Sequence, residues 1–204
     1  VSPAYSLLSQ DYSKLRHVCE LLQPGLVFVS DAAAYGRAID AVLPQDTPLI
    51  SVRGDLAGRS QVSFASLLEQ PGGAEAEAAF AATGPDTIAK FLFTSGSTRL
   101  PKAVITTQRM LCANQQMLLQ TFPVFGEEPP VLVDWLPWNH TFGGSHNLGI
   151  VLYNGGSFYL DDGKPTAQGF AQTLRNLKEI SPTAYLTVPK GWEELVSALE
   201  QDGE

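Results

Sequence analysis

Cysteine, methionine and histidine are all scarce in this 204-residue chain, which holds two, two and three of them. Cys19 and Cys112 lie far apart and form no Cys-x-x-Cys pair, which excludes a disulfide scaffold and a thiolate metal knuckle. They read as two reduced, partly buried thiols of a cytoplasmic protein. Positive charge is also in short supply. Thirteen Lys and Arg against 21 Asp and Glu leave a net charge of −8, so there is no bulk attraction for nucleic acid or an anionic membrane. No Lys or Arg occurs between Arg109 and Lys164. Long apolar runs are missing: Val131-Leu132-Val133 stops at Asp134, and nothing approaches the length of a membrane span. The opening Val1-Ser2-Pro3 is followed by neither a basic nor an apolar leader region. There is no Gly-x-Ser-x-Gly elbow for a hydrolase and no Gly-x-Gly-x-x-Gly after a strand for a dinucleotide. His140 and His146 lack the carboxylate of a zinc motif, and no metal site is expected.

What remains is a composition that folds. At 44% hydrophobic residues the chain has enough apolar mass to exclude disorder. A domain of this size buries roughly 70% of its extended-chain surface. Helical and strand-like patterns alternate. Leu15, Val18, Leu21 and Leu22 recur at helical spacing after the capping types Ser9 and Asp11, and Gln23-Pro24-Gly25 stops them. Residues 26–29 read as a strand, 31–43 as a helix capped by Ser30-Asp31, and 49–52 as the next strand. Helical segments are expected at 60–69 and 74–82. Thr83-Gly84-Pro85-Asp86 then breaks the pattern, a candidate subdomain junction near 83–88. Strands follow at 89–94 and 103–106, and Thr107 caps a helix to Thr121 with Met110, Leu111, Met117 and Leu118 on its apolar side. Further strands are expected at 131–136, 157–160 and 184–188, with helices at 148–153, 192–199 and from a Thr166 cap to Ile180. Asn154-Gly155-Gly156 reads as a helix stop, Asp161-Asp162-Gly163 as a turn, and Glu127-Glu128 as a solvated loop. The class is α/β, with mostly parallel sheet layers.

Two segments carry chemistry. Thr94-Ser95-Gly96-Ser97-Thr98-Arg99-Leu100-Pro101-Lys102 follows a strand and supplies four hydroxyls, a glycine and a lysine, the parts of a phosphate cradle. It is not a Walker A loop, because Pro101 precedes the lysine and Ala103 follows it. The second segment, Leu136-Pro137-Trp138-Asn139-His140-Thr141-Phe142-Gly143-Gly144, also follows a buried strand, where open parallel sheets bind ligands. A histidine flanked by two aromatics, with glycines allowing close approach, suits the wall of an aromatic or acyl pocket.

With those residues the sequence resembles the adenylate-forming superfamily of acyl-CoA synthetases, luciferases and adenylation domains. Thr94–Lys102 is similar to its Ser/Thr/Gly-rich ATP-phosphate loop, and Leu136–Gly143 to its Pro-x-x-His-x-x-Gly segment. Trp135–Asn147, Tyr159–Pro165 and Val188–Leu195 look most like feruloyl-CoA synthases, enzymes of phenylpropanoid degradation. The resemblance implies a two-step ligase: ATP and a carboxylate form an acyl-adenylate and pyrophosphate, and the thiol of CoA then displaces AMP. It implies that Thr94, Ser95, Gly96, Ser97, Thr98 and Lys102 hold the β- and γ-phosphates, with Mg²⁺ offsetting their charge. His140 would sit beside the acyl carboxylate as the catalytic residue, with Trp138, Phe142 and Gly143 as pocket neighbours.

Departures from the pattern matter as much. Arg99 stands where the family normally has Gly, and a side chain there can cost on the order of 1–2 kcal/mol of backbone strain. It either opens the loop, turns its guanidinium outward, or replaces hydration at the γ-phosphate. The family's Tyr-Gly-x-Thr-Glu and Thr-Gly-Asp segments and its C-terminal domain with a catalytic Lys are absent. The chain therefore reads as an internal fragment, 1–204, of the large N-terminal domain, inactive alone. The basic-poor stretch, rich in Trp, Phe and Leu, reads as a surface covered by missing chain, and so predicts self-association. The alternative is a non-catalytic nucleotide-binding or interaction domain derived from the same fold.

Overall fold

The computed structural model describes residues 1–94, 100–166 and 168–202. Ser95, Gly96, Ser97, Thr98 and Arg99 of the hydroxyl-rich loop lie outside the described residues. The chain divides into two compact units, Val1–Gly84 with Lys90–Ile105, and Pro85–Ala89 with Thr106–Glu204.

The first unit carries helices α1 (Ala4–Leu7), α2 (Ser13–Leu22), α3 (Ala32–Val42), α4 (Phe64–Leu68) and α5 (Ala74–Ala81). Strands β1 (Val27–Asp31), β2 (Leu49–Arg53) and β3 (Gln61–Ser63) form a parallel sheet in that order. Parallel neighbours need a crossover, and α3 supplies it between β1 and β2. Asp31 starts α3 by accepting the Ala34 N–H at 3.1 Å, which holds its carboxyl below the usual range. Helix α2 ends at Gln23 in the left-handed region, ahead of Pro24, as the stop signal requires. Ala32, Ile39 and Leu49 form the core of this unit, with Val27, Val29 and Leu43 packed on it. The three-residue strand β3 was invisible in the sequence because it is too short to alternate. Strands β4 (Ile88–Thr94) and β5 (Lys102–Thr107) pair with each other.

The second unit is built around β6 (Val131–Asp134) and β7 (Ser157–Leu160), paired in parallel register from Val131↔Ser157 to Asp134↔Leu160. Their crossover is a π-helical turn (Phe142–Asn147) running into α8 (Leu148–Asn154). Asn154-Gly155-Gly156 does stop α8: Gly155 takes φ +68°. Helices α6 (Gln108–Thr121), α7 (Val124–Glu127), α9 (Phe170–Ile180) and α10 (Pro189–Asp202) complete the unit. Phe125, Leu132, Ile150 and Val151 are its buried core, each contributing about 1.5–3 kcal/mol through burial.

Several expectations change. Strand β6 ends two residues early, because the Asp134 carboxylate turns back to accept the Leu136 N–H at 2.8 Å. Residues 184–188 form no ladder among the described residues, although Thr183 N–H reaches the Val131 carbonyl at 3.0 Å. Helix α9 starts after Gly169: Thr166 instead accepts the Gly169 N–H at 3.1 Å, closing the turn before it. On α6 the methionines are not core filler. Met110 and Met117 are 55% and 57% exposed, and the buried residue of that helix is Gln115. Cys112, expected to be partly buried, is exposed as well, while Cys19 is half-buried. Among the described residues no helix is long and apolar enough to cross a membrane.

Candidate active site

The second unit places its chemistry on the chain leaving β6. His140 N–H bonds the Pro137 carbonyl at 3.0 Å, and Gly144 N–H bonds the His140 carbonyl at 2.9 Å, so residues 137–144 form consecutive tight turns. The two glycines are obligatory there. A Cβ on Gly143 would stand 2.8 Å from the Leu136 carbonyl oxygen, and one on Gly144 would overlap the carbonyl of Trp138. His140 makes few contacts: its ring is exposed, and Nδ1 accepts the Phe142 N–H at 3.3 Å. The neutral ring therefore carries its proton on Nε2 and offers a donor on that side.

The π-helical turn gives Phe142 and His146 to the same surface. A wide i→i+5 turn leaves carbonyls aimed away from the ladder, a geometry found often at functional sites. Here the buried Gln115 of α6 takes them: its Nε2 donates to the Ser145 carbonyl at 3.1 Å and to that of His146 at 3.5 Å. Gly149 leaves room for this amide, since a Cβ would stand 2.8 Å from Gln115 Cδ. Phe142 and His146 meet edge to face with centroids 5.3 Å apart.

Those two rings line a cavity of about 420 Å³, closed on its other side by Thr106, Met110, Leu111 and Asn114 of β5 and α6, with Thr141 and Ser145 on the turn. The volume lies within the range of small-molecule sites, and the lining mixes apolar bodies with hydroxyls, an amide and an imidazole.

Behind the turn lies a buried polar chain. Asn147 Nδ2 donates to Asp134 Oδ2 at 3.1 Å and to the Leu186 carbonyl at 3.3 Å, and Asn147 Oδ1 stands 2.8 Å from His146 Nδ1. Burial pushes the Asp134 carboxyl above its ordinary range, while the Leu136 N–H and the Asn147 amide pull it back. Asp161 is tied separately: Oδ1 accepts Gly163 N–H and Asn176 Nδ2, and Oδ2 accepts the Thr173 hydroxyl at 2.6 Å. Asp161-Asp162-Gly163 is thus a turn stapled to α9.

Of the residues singled out in the sequence, Phe142 lines the cavity, and His140 precedes the lining residue Thr141. Trp138 is 50% exposed and packs its edge on Phe158, and Gly143 is buried beneath the turn. Thr94 ends β4 and Lys102 begins β5, both exposed. Sequence reasoning missed His146, Asn147, Gln115 and Asn114. The available signal was polarity at positions the helical period assigns to the interior, as with Gln115 four residues after Leu111.

Residues 1–204 match the family described as AMP-binding enzyme. The chain is similar to the medium-chain-fatty-acid–[acyl-carrier-protein] ligase TtuA of Teredinibacter turnerae, 31% identical over 113 residues, covering 55% of this chain and 14% of that protein. It is similar to the long-chain-fatty-acid–AMP ligase FadD23 of Mycobacterium tuberculosis, 32% identical over 115 residues, 54% of this chain and 16% of that one. Among solved structures it resembles o-succinylbenzoate CoA synthetase (MenE) from Bacillus subtilis in complex with the acyl-adenylate intermediate OSB-AMP. The TM-score is 0.64 at 15% identity, over 90% of this chain and 42% of that one, a likeness of fold.

Proposed function

The chain belongs to the AMP-binding enzyme family, and on that premise we propose that the polypeptide carrying it is an ATP-dependent carboxylate–CoA ligase acting on a hydroxycinnamate-type acid such as ferulate. The alignments cover only 14% and 16% of the two curated relatives, so the activity is assigned to the complete protein. In the first step a carboxylate oxygen attacks the α-phosphorus of ATP and pyrophosphate leaves. In the second the CoA sulfur attacks the acyl carbon and AMP leaves.

Thr94, Ser95, Gly96, Ser97, Thr98 and Lys102 hold the β- and γ-phosphates in this reading, through hydroxyl and backbone donors and one ammonium. Mg²⁺, bound to phosphate oxygens, would offset their charge. His140 meets the carboxylate: with Nδ1 engaged by the Phe142 N–H, its neutral ring presents Nε2–H, a donor suited to a carboxylate oxygen. Trp138, Phe142 and Gly143 belong to the surroundings of the acyl group.

Support for a polar aromatic acyl group comes from the 420 Å³ cavity, where Phe142 and His146 stand beside Asn114, Ser145 and two threonines. A plain alkyl chain would leave those polar groups without partners at a cost of about 1–3 kcal/mol each.

The test is ATP–pyrophosphate exchange by the complete polypeptide with ferulate, cinnamate and dodecanoate in turn. Exchange is expected with ferulate above both others. Exchange with dodecanoate alone would overturn the aromatic assignment. Nucleotide binding without exchange on any acid would favour the non-catalytic reading.

A further inference from the structure

Asn147 is 1% exposed, and its side-chain amide has every bond accounted for. The Leu186 carbonyl can only accept, whatever the charge on Asp134, so the amide nitrogen must face it at 3.3 Å. That fixes the amide orientation. Asn147 Oδ1 then faces His146 Nδ1 at 2.8 Å, and an amide oxygen can only accept. The proton of this bond therefore belongs to His146 Nδ1. A neutral imidazole protonated on Nδ1 has a bare lone pair on Nε2, because the bond made by one ring nitrogen decides the state of the other.

We propose that Asn147, backed by Asp134 and the Leu186 carbonyl, is a positioning residue that locks His146 with its proton on Nδ1, making His146 Nε2 an acceptor for a hydroxyl carried by the acyl group. The substrate part of this proposal rests on the ligase reading above. His146 lines the cavity, and Nε2 is the ring nitrogen left for a ligand once Nδ1 is engaged. The hydroxyls of Thr106, Thr141 and Ser145 can donate or accept, and so tolerate either partner. A neutral His146 of this tautomer can only accept. It rewards an acid bearing a hydroxyl donor and is left unpaired by the corresponding methyl ether, an asymmetry by which sites reject analogues lacking a hydrogen-bonding group.

The experiment has two arms. In the first, two-bond ¹H–¹⁵N correlation spectra of this chain identify the protonated nitrogen of each histidine. His146 is expected to carry its proton on Nδ1 and to move toward the Nε2-protonated form in Asn147→Leu. A wild-type His146 protonated on Nε2 overturns the proposal, and this spectrum needs no variant to fold. In the second arm, the complete polypeptide is assayed with a para-hydroxy cinnamic acid and its para-methyl ether. A preference of roughly tenfold in kcat/KM for the hydroxy acid is expected, lost in His146→Phe and in Asn147→Leu. Equal use of both acids by the wild type, or a preference that survives His146→Phe, overturns the acceptor role. Absence of exchange with every acid would instead count against the ligase reading, and the spectra would still decide the lock.

Discussion

The side-chain amide of Gln115, buried on α6, donates to the Ser145 carbonyl across 3.1 Å, joining a helix to the π-helical turn thirty residues later. One bond thereby sets the spacing between the two walls of the cavity, since Asn114 precedes Gln115 and Ser145 precedes His146. Gln115→Leu keeps the volume and removes the donor, stranding a carbonyl. It is expected to lower stability by about 1–3 kcal/mol in urea denaturation. Wild-type stability in Gln115→Leu would mean that the turn holds its geometry unaided.

Glycine substitutions separate close approach from backbone conformation. Gly144→Ala drives a Cβ into the Trp138 carbonyl, where only backbone can give way, and a loss of about 3 kcal/mol is expected. Gly155→Ala meets nothing within 4 Å and faces only its φ of +68°, so about 1 kcal/mol is expected. Chemical denaturation of the two variants should rank them in that order, and the reverse order would contradict the tight turn at 137–144.

Asp134 makes stability depend on pH in an unusual direction. Burial raises its carboxyl in the folded state, so the native protein holds that proton more tightly than the unfolded chain does. Its contribution is fully present below the ordinary aspartate value near about 3.9 and is lost as pH rises through the raised native one. The stability of wild type minus that of Asp134→Asn should therefore fall between acid and neutral pH. A difference that stays flat across that range would show that Asp134 titrates normally.

Arg99 stands where the family resemblance leads us to expect glycine in the hydroxyl-rich loop. Arg99→Gly in the complete polypeptide is expected to raise the rate of ATP–pyrophosphate exchange. An unchanged or slower rate would show that the arginine is neutral or helps hold the triphosphate.

Much of the architecture was legible in advance because it is written in local chemistry. Asp31 at the start of α3, Pro24 after α2 and Gly155 after α8 act on their own neighbours, and each ended or began its element where the pattern indicated. The segment from Trp138 to Gly144 could be found for the same reason: a glycine pair beside aromatics and a histidine is a contiguous signal. Met110 and Met117 misled because apolar character does not say which side of α6 meets the core, and Gln115 occupies the buried side instead.

The sequence by itself determined the α/β class and most of the order of elements, and it singled out two candidate loops, all from properties of neighbouring residues. Only the tertiary structure decided that His146 rather than His140 lines the cavity, and that Asn147 engages its Nδ1. Those relations depend on Asp134, Leu186 and Gln115, brought from β6, the 183–188 segment and α6. A hydrogen bond between distant residues leaves no periodicity in the chain. Its directionality, which fixes where a proton sits, exists only once both partners are in place.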